Sequence, residues 1–464
     1  MPFPLTRLEQ RLAKPSLILG WPIDRTESSS RHNGTSVINR GRTRNLSRSI
    51  QYSHDRHLIT FAPTGSGKGV GVIIPNLLHY QGPAIVIDPK GENFAVTARY
   101  RSKVLGQRIL LLDPFNAVSQ DVLGGLGIER QRLNPLDLCQ LSGTATDLDA
   151  QMLAELFAGD TQSSESPFWD NSAKRVVAGL LAHEMELAQR DARAPRLANV
   201  ISTLFADDPR YTMAVMLQDQ SPSTFVAQSI GAGLIAVEAE ATRAGILSTA
   251  HSYFSLLTTG NLLNHLDSSS ISLRNIQERD DYTLYVVIPP TKLHSHASLL
   301  KLWVCVLMYS IMERRRQPLG RTLFILDECA NLGEMEVLRK AVTLLRGYGL
   351  QVWMFFQDLA QLQNLYPDSG TMINNCGVLQ AFGLGRSSAA EPLARLVGSI
   401  KANDLIHLDD RQQLLSIVPG RAVIARLLRY FNDDAFAGRF DPNPLVEDSL
   451  HRSSVPRLGK RLYL

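Results

Sequence analysis

Short unbroken apolar runs alternate with amphipathic stretches along most of this 464-residue chain. The runs in "HLITFAP", "PAIVIDPKGEN" and "RILLLDPF" are brief and close on proline-containing turns. Continuous runs of that kind suit strands buried on both faces of a parallel sheet. Between the first two, "GVGVIIPNLLHY" has helical spacing with one proline. From about Thr144 to His265 the pattern becomes helical throughout. In "FWDNSAKRVVAGLLAHEMELAQR", Val177, Leu180, Leu181 and Met185 fall on one helical stripe. "STFVAQSIGAGLIAVEAEATRAGILSTAHSYFSLL" predicts a second long helical region, weakened by its glycines. Strand character returns at "YTLYVVIPP". After the helix-like "SLLKLWVCVLMYSIMERRR" it returns again at "RTLFILDECANLG", "LQVWMFFQDLAQLQ" and "CGVLQAFGLG". The pattern predicts an α/β fold: a mostly parallel sheet, split in sequence by an all-α domain. The expected boundaries are a basic segment at 1–50, the α/β domain at 51–143 and 267–440, the all-α domain at 144–266, and a basic tail at 441–464.

Composition fits that reading. The chain is too long for a typical single domain. At 44% hydrophobic and 20% charged residues it has an ordinary soluble, globular make-up. The net charge of +4 is uneven: the first 50 residues hold nine basic and three acidic side chains, and the last 14 hold four basic and none acidic. Basic ends over a mildly acidic body suit contact with nucleic acid or anionic lipid, and equally suit solvated flexible ends. Cys139, Cys305, Cys329 and Cys376 are far apart, three of them in apolar segments, as expected of buried thiols in a reducing compartment. The pairs His54/His57 and His294/His296 lack further partners at metal-ligand spacing and read as solvated loop histidines. No run approaches the roughly 20 apolar residues that span a bilayer, and the charged N-terminus is unlike a signal peptide, so a cytoplasmic location is expected.

The candidate chemistry begins at "FAPTGSGKGVG". In a P-loop, backbone N–H groups of a glycine-rich turn and the following helix N-terminus cradle phosphate oxygens while a lysine neutralises charge. Thr64, Gly65, Ser66, Gly67 and Lys68 offer that turn, continued by Gly69 and Val70. Two positions depart from the full pattern: Ala62 stands where glycine is usual, and Gly69 where a serine or threonine hydroxyl binds Mg²⁺. "LFILDECA" supplies the second half of such a site. Asp327 at a strand tip could hold Mg²⁺ through water, and Glu328 could polarise the attacking water. Their alternative role is as helix N-caps. Gln357, ending the next strand, either senses the γ-phosphate or closes a strand-to-helix turn. P-loop, acidic pair and glutamine occur in the order of a RecA-like motor core.

At these residues the chain resembles the VirD4/TraG coupling ATPases of bacterial type IV secretion and conjugation. The resemblance spans about residues 16 to 440 and rests on "APTGSGKGVGVIIPNLL", "AIVIDPKGEN", "RILLLDPF", "LNPLD", "PFWDNSAKRVVAGLL" and "LFILDECANLG". In that family Gly-Val-Gly commonly follows the lysine, so Gly69 is the residue it leads one to expect. The resemblance implies a RecA-like ATP- and Mg²⁺-binding domain with a membrane-distal all-α domain, assembled as a hexameric ring that feeds DNA, protein or both to a secretion channel. It implies that Lys68 binds phosphates, Asp327 organises Mg²⁺, Glu328 is the catalytic carboxylate and Gln357 a γ-phosphate sensor. Arg386, in "FGLGRSSAAEP", either reaches a neighbouring subunit's ATP or is a surface arginine. Asp88, Lys90 and Glu92 belong to a family-typical "DPKGE" segment and are expected to be structural or to contact another subunit. Family members usually carry N-terminal transmembrane helices. This chain starts about where those would end, which implies either a soluble relative that docks on a separate membrane partner at the inner-membrane face or a chain from which the anchor was left out.

Two functions of different class follow. One is an ATP-driven motor that moves DNA, expected to be single-stranded with bound relaxase, in company with the secretion system's other ATPases and inner-membrane components. The other is a receptor that recruits protein effectors and hydrolyses ATP weakly, as loss of the hydroxyl at Gly69 would suggest. DNA packaging or chromosome pumping shares the core but not the "DPKGE" and "FWDNSAK" matches. Arg314, Arg315 and Arg316 in "MERRRQP" are either a DNA contact or a solvated helix end.

Overall fold

The computed structural model describes residues 15–23, 45–142, 146–159, 167–219, 222–258, 261–316 and 320–444. Most of the basic segment 1–50 and nearly all of the basic tail lie outside the described residues, as do the serine runs at 28–30 and 163–166.

One sheet of 11 strands organises the molecule, in the order β2-β1-β11-β10-β9-β3-β8-β7-β4-β6-β5. The strands are β1 Leu17–Pro22, β2 Ile50–Tyr52, β3 His57–Phe61, β4 Ala84–Ile87, β5 Arg108–Leu112, β6 Tyr282–Val286, β7 Thr322–Leu326, β8 Leu350–Phe356, β9 Cys376–Ala381, β10 Gln412–Ile417 and β11 Val423–Arg426. From β9 to β5 every pairing is parallel. The apolar runs are continuous because successive residues serve different layers. Ile85, Ile87, Phe324, Leu326, Met354 and Phe356 enter one core, whereas Val86, Leu323, Ile325, Trp353 and Phe355 enter the other. No described element between Leu112 and Tyr282 is a strand: from Thr146 to Leu266 every described element is a helix.

The long helices follow their sequence patterns closely. Helix Pro167–Arg190 buries Val177, Leu180, Leu181 and Met185. Its "FWDN" start is a structural node: Asp170 accepts from the Tyr253 hydroxyl at 2.5 Å and pairs with Lys174 at 2.9 Å, and Lys174 also meets Glu155 at 2.8 Å. Gly245 lets the neighbouring helix close on this node, because a Cβ there would lie 2.6 Å from the Trp169 ring. The second long helical region is two helices rather than one. Thr224–Val226 runs into a π-wound stretch, Ala227–Ile235, and a separate helix starts at Glu240. The break is fixed by Arg243, whose Nη1 donates to the carbonyls of Val237 and Glu238.

Three further features differ from the sequence reading. "PSLILGWPI" is not part of a basic flanking segment: it is β1, inside the sheet, antiparallel to both β2 and β11. β10 and β11 complete an antiparallel flank that the pattern did not announce. Arg314 is neither a DNA contact nor a solvated helix end. It is buried, donating to the Gln277 and Ile276 carbonyls and to Thr322 Oγ1, and so ties the helix Ala297–Met312 to the starts of the strands. Arg315 and Arg316 are exposed.

Candidate nucleotide site

The parallel strands deliver their C-terminal ends to one edge, which is where open α/β sheets bind ligands. β3 opens into the glycine turn, β7 into Asp327 and Glu328, β8 into Gln357. The strand order matters: β8 lies between β3 and β7, so Gln357 emerges between the lysine loop and the acidic pair.

Local sequence explains the loop. The Ala62 N–H donates to Phe356 O at 2.9 Å, prolonging the β3–β8 ladder, so this position needs no glycine. Gly65 and Gly67 have φ of +80° and +94°, and a Cβ on either would meet nothing within 4 Å. Backbone conformation, not space, therefore selects glycine there. Ser66 Oγ donates to Pro63 O at 2.6 Å and closes the turn. The helix then begins with a π-wound turn, Gly69–Ile73, and continues as Ile74–Leu77, with Pro75 in its first turn. Gly71 is selected by crowding: a Cβ would sit 3.1 Å from Leu428 O. Val70 packs beside the same C-terminal segment. Thr64 and Gly65 are exposed at the tip.

Lys68, itself buried, donates from Nζ to Glu328 Oε1 at 2.6 Å, and Gln357 Nε2 donates to Glu328 Oε2 at 3.3 Å. Three residues that the sequence analysis singled out separately thus form one chain of polar contacts across three strands. The Glu328 and Gln357 side chains do not take the alternative roles. Glu328 makes no side-chain cap to the short helix Cys329–Leu332; it holds φ +56°, a left-handed conformation that costs a non-glycine residue on the order of 1 kcal/mol and marks functional turns. The turn after β8 is closed by Gln361 Oε1, which accepts from the Gln357 N–H, and by Asp358 Oδ1, which accepts from the Gln361 N–H. The Gln357 side chain is left for Glu328.

Asp327 lies beside this chain. Its Oδ1 is buried with no hydrogen-bond donor among the described residues. Burial lifts its carboxyl to about 6, with Lys68 opposing and Glu328 adding to the rise. A buried, undonated carboxylate oxygen fits the all-oxygen coordination that Mg²⁺ prefers.

The Asp-Pro turns after β4 and β5 have different work. Asp113 caps the Ala117 and Val118 N–H groups and pairs with Arg130 at 3.0 Å. Asp88 accepts from the Phe94 N–H at 2.8 Å and from Asn93 Nδ2 at 3.2 Å; burial pushes it to about 7, with the charges of Asp327 and Glu92 contributing. Arg386 is exposed at the start of helix Ser387–Val397. Among the described residues no hydrogen bond or ion pair joins it to Lys68, Glu328 or Gln357. The segment just before it touches the loop, however, since a Cβ on Gly383 would fall 2.9 Å from Ser66 Cβ. That close approach was not legible in sequence. Neither was Arg101, fully buried, which donates to Leu77 O, Tyr80 O, Gly82 O and Thr283 Oγ1 and holds the far end of the loop's helix.

A glycine turn between a strand and a helix, a lysine reaching an acidic strand tip, and a polar residue on the strand between them define a P-loop nucleotide-binding core. The chain belongs to the family of type IV secretory system conjugative DNA transfer proteins, whose model matches residues 25–403. It is similar to the conjugal transfer protein TraG of Escherichia coli, 27% identical over 368 residues that cover 75% of this chain and 56% of that protein. It is also similar to VirD4 of Agrobacterium fabrum, 28% identical over 338 residues, 69% of this chain and 46% of that protein. The chain thus spans about half the length of these relatives. Its fold is that of the conjugative coupling protein TrwBdeltaN70, with a TM-score of 0.63 at 15% identity over 92% of this chain and 95% of that one. TrwB in complex with ADP and Mg²⁺ matches at a TM-score of 0.62 and 15% identity, over 89% and 94%.

Proposed function

We propose that this chain is an ATP-driven coupling protein that recruits DNA or nucleoprotein cargo and delivers it to a type IV secretion or conjugation channel. The observation that carries the reading is the Lys68–Glu328–Gln357 chain beside Asp327, on a family member whose fold is shared with a coupling protein solved with ADP and Mg²⁺. Phosphate oxygens arriving at the glycine turn compete with Glu328 for Lys68. Once Lys68 turns to the phosphates, the Glu328 carboxylate loses its cationic partner and is available to accept a proton from water. Gln357 keeps that carboxylate oriented through Oε2. Asp327 is the residue that would hold Mg²⁺, which when bound neutralises charge developing on the phosphates. The backbone N–H groups of the turn bind the phosphates without titrating.

On the same reading the working form is a homo-hexamer at the inner-membrane face, partnered by relaxase-bound single-stranded DNA and the secretion system's ATPases. Arg386 reaches the ATP of the next subunit. Its exposure next to the loop-touching Gly383 supports that role. Among the described residues no helix is long and apolar enough to cross a membrane.

The test is steady-state ATP hydrolysis with and without single-stranded DNA, beside Lys68→Ala and Glu328→Gln. DNA should raise a rate that both substitutions abolish. ATP binding without turnover under any condition would replace this reading with that of an ATP-binding receptor for protein effectors.

A further inference from the structure

The missing hydroxyl at position 69 leaves a question of chemistry. Nothing in the backbone demands glycine there: Gly69 starts a helix with ordinary negative φ, unlike Gly65 and Gly67. Packing does not demand it either. A Cβ on Gly69 would make its nearest contacts at 4.0 Å, an ordinary van der Waals distance. Those two contacts are both oxygens, Asn93 Oδ1 and Glu92 Oε2. They come from the first two residues of the helix Glu92–Lys103, which follows β4, and flank the place where a P-loop serine or threonine would present its hydroxyl.

Asn93 is 3% exposed, and its amide is oriented by Nδ2 donating to Asp88 Oδ1. Asp88 is in turn fixed by the Phe94 N–H. Asn93 Oδ1 therefore faces position 69 as a buried acceptor, and no donor among the described residues meets it. Asp327 Oδ1 is a second such acceptor. Glu92 and Asp327 both lie close enough to Asp88 to act on it electrostatically. Lys68 is already engaged by Glu328. The Glu92 carboxylate and the undonated Asn93 amide oxygen beside position 69 are hard oxygen donors of the kind a divalent cation takes.

We propose that Glu92, backed by the side-chain oxygen of Asn93, supplies from the start of the helix after β4 the oxygen ligand for the nucleotide's Mg²⁺ that Gly69 lacks. The inference rests on the nucleotide-site reading above. It makes the glutamate of the "DPKGE" segment a metal-binding residue and explains how the loop can dispense with its hydroxyl.

Mn²⁺ binding to the full chain with saturating ADP, followed by the EPR signal of free Mn²⁺, tests this directly, with ADP affinity in EDTA measured alongside. Glu92→Gln should weaken Mn²⁺ roughly 10- to 100-fold and leave metal-free ADP affinity within about twofold. Adding Gly69→Ser to Glu92→Gln should recover most of the loss, since the hydroxyl then occupies the vacated ligand position. If Glu92→Gln leaves Mn²⁺ affinity unchanged while Asp327→Asn weakens it, this proposal fails and the nucleotide site stands. If Glu92→Gln weakens metal-free ADP binding to the same degree, Glu92 is structural and the proposal fails. If the unsubstituted chain binds no ADP, both readings fail.

Discussion

Asp327 is a carboxylate buried away from the water that would solvate its charge. Burial lifts its carboxyl from 3.8 to about 6, so the folded chain binds that proton more tightly than the unfolded chain does. The stability this group contributes is therefore full below pH about 4 and is lost as pH rises through about 6. Asp327→Asn mimics the protonated form. In the absence of nucleotide and divalent ions, the variant should unfold at higher temperature than the parent at pH 8, by the equivalent of about 1–3 kcal/mol, and the gap should close toward pH 4. Thermal melts at pH 4.5, 6 and 8 check the sign; a variant less stable at pH 8 would show that the charge is well compensated. Glu328 makes the complementary case. Its left-handed backbone aims the carboxylate at Lys68 and Gln357, so Glu328→Gly, which frees the backbone but leaves buried Lys68 unpaired, should lose hydrolysis and also lower the melting temperature, with circular dichroism and turnover measured together. Sequence made these residue types conspicuous, since Asp-Glu after an apolar strand has few other uses. It did not reveal that Asn93 and Glu92 face Gly69, because that contact joins two helix starts through their folded positions.

Among the elements, the β8–β3–β9–β10 ribbon carries a polar ladder through the core. Trp353 Nε1 donates to Thr60 Oγ1 at 2.9 Å, Thr60 donates to Gln380 Oε1 at 2.8 Å, Gln380 donates to Gln413, and Gln413 reaches Leu19 O at 2.7 Å. Gly20 makes room for the last link, since a Cβ there would strike Gln413 Nε2 at 2.3 Å. The ladder fastens the antiparallel flank to the parallel block. Gln380→Leu strands Thr60 and Gln413 together, and should cost about 2–4 kcal/mol in urea unfolding; a loss under 1 kcal/mol would mean that the ladder is dispensable. Gly383→Ala acts on the site instead. It meets a φ of +71° and the 2.9 Å approach to Ser66, so it should weaken ADP binding measured by calorimetry far more than it lowers the melting temperature. The parallel strands were legible because burial on both faces makes them uniformly apolar. β10 and β11 were not: "QQLLSI" and "VIAR" mix polar residues into short edge-side strands, whose pairing is set by partners far along the chain.

At the scale of the molecule, one core runs from the sheet face through the helix Ala297–Met312 into the helical region, joining Phe356 and Trp303 to Leu181 and Phe254. The helical stretch was evident from its periodicity, yet sequence could not tell whether its apolar stripe closed on itself or on the sheet. The shared core predicts a single unfolding transition, with tryptophan fluorescence and far-ultraviolet circular dichroism coinciding; two separated transitions would show that the helical region is held independently. Arg101 and Arg314 are buried with carbonyl and hydroxyl partners rather than carboxylates. A run of three arginines reads as surface charge because nothing in it shows which one turns inward.

If Glu328, released from Lys68 by phosphate, activates water for ATP hydrolysis, its substitution acts on the chemical step rather than on binding. The most direct measurement is single-turnover hydrolysis of prebound ATP with Mg²⁺ by the parent chain and by Glu328→Gln. The account predicts ATP affinity within a few-fold of the parent and a hydrolysis rate lower by on the order of 10²- to 10⁴-fold. Hydrolysis by Glu328→Gln at the parental rate would contradict it and reduce the Lys68–Glu328 contact to a structural ion pair.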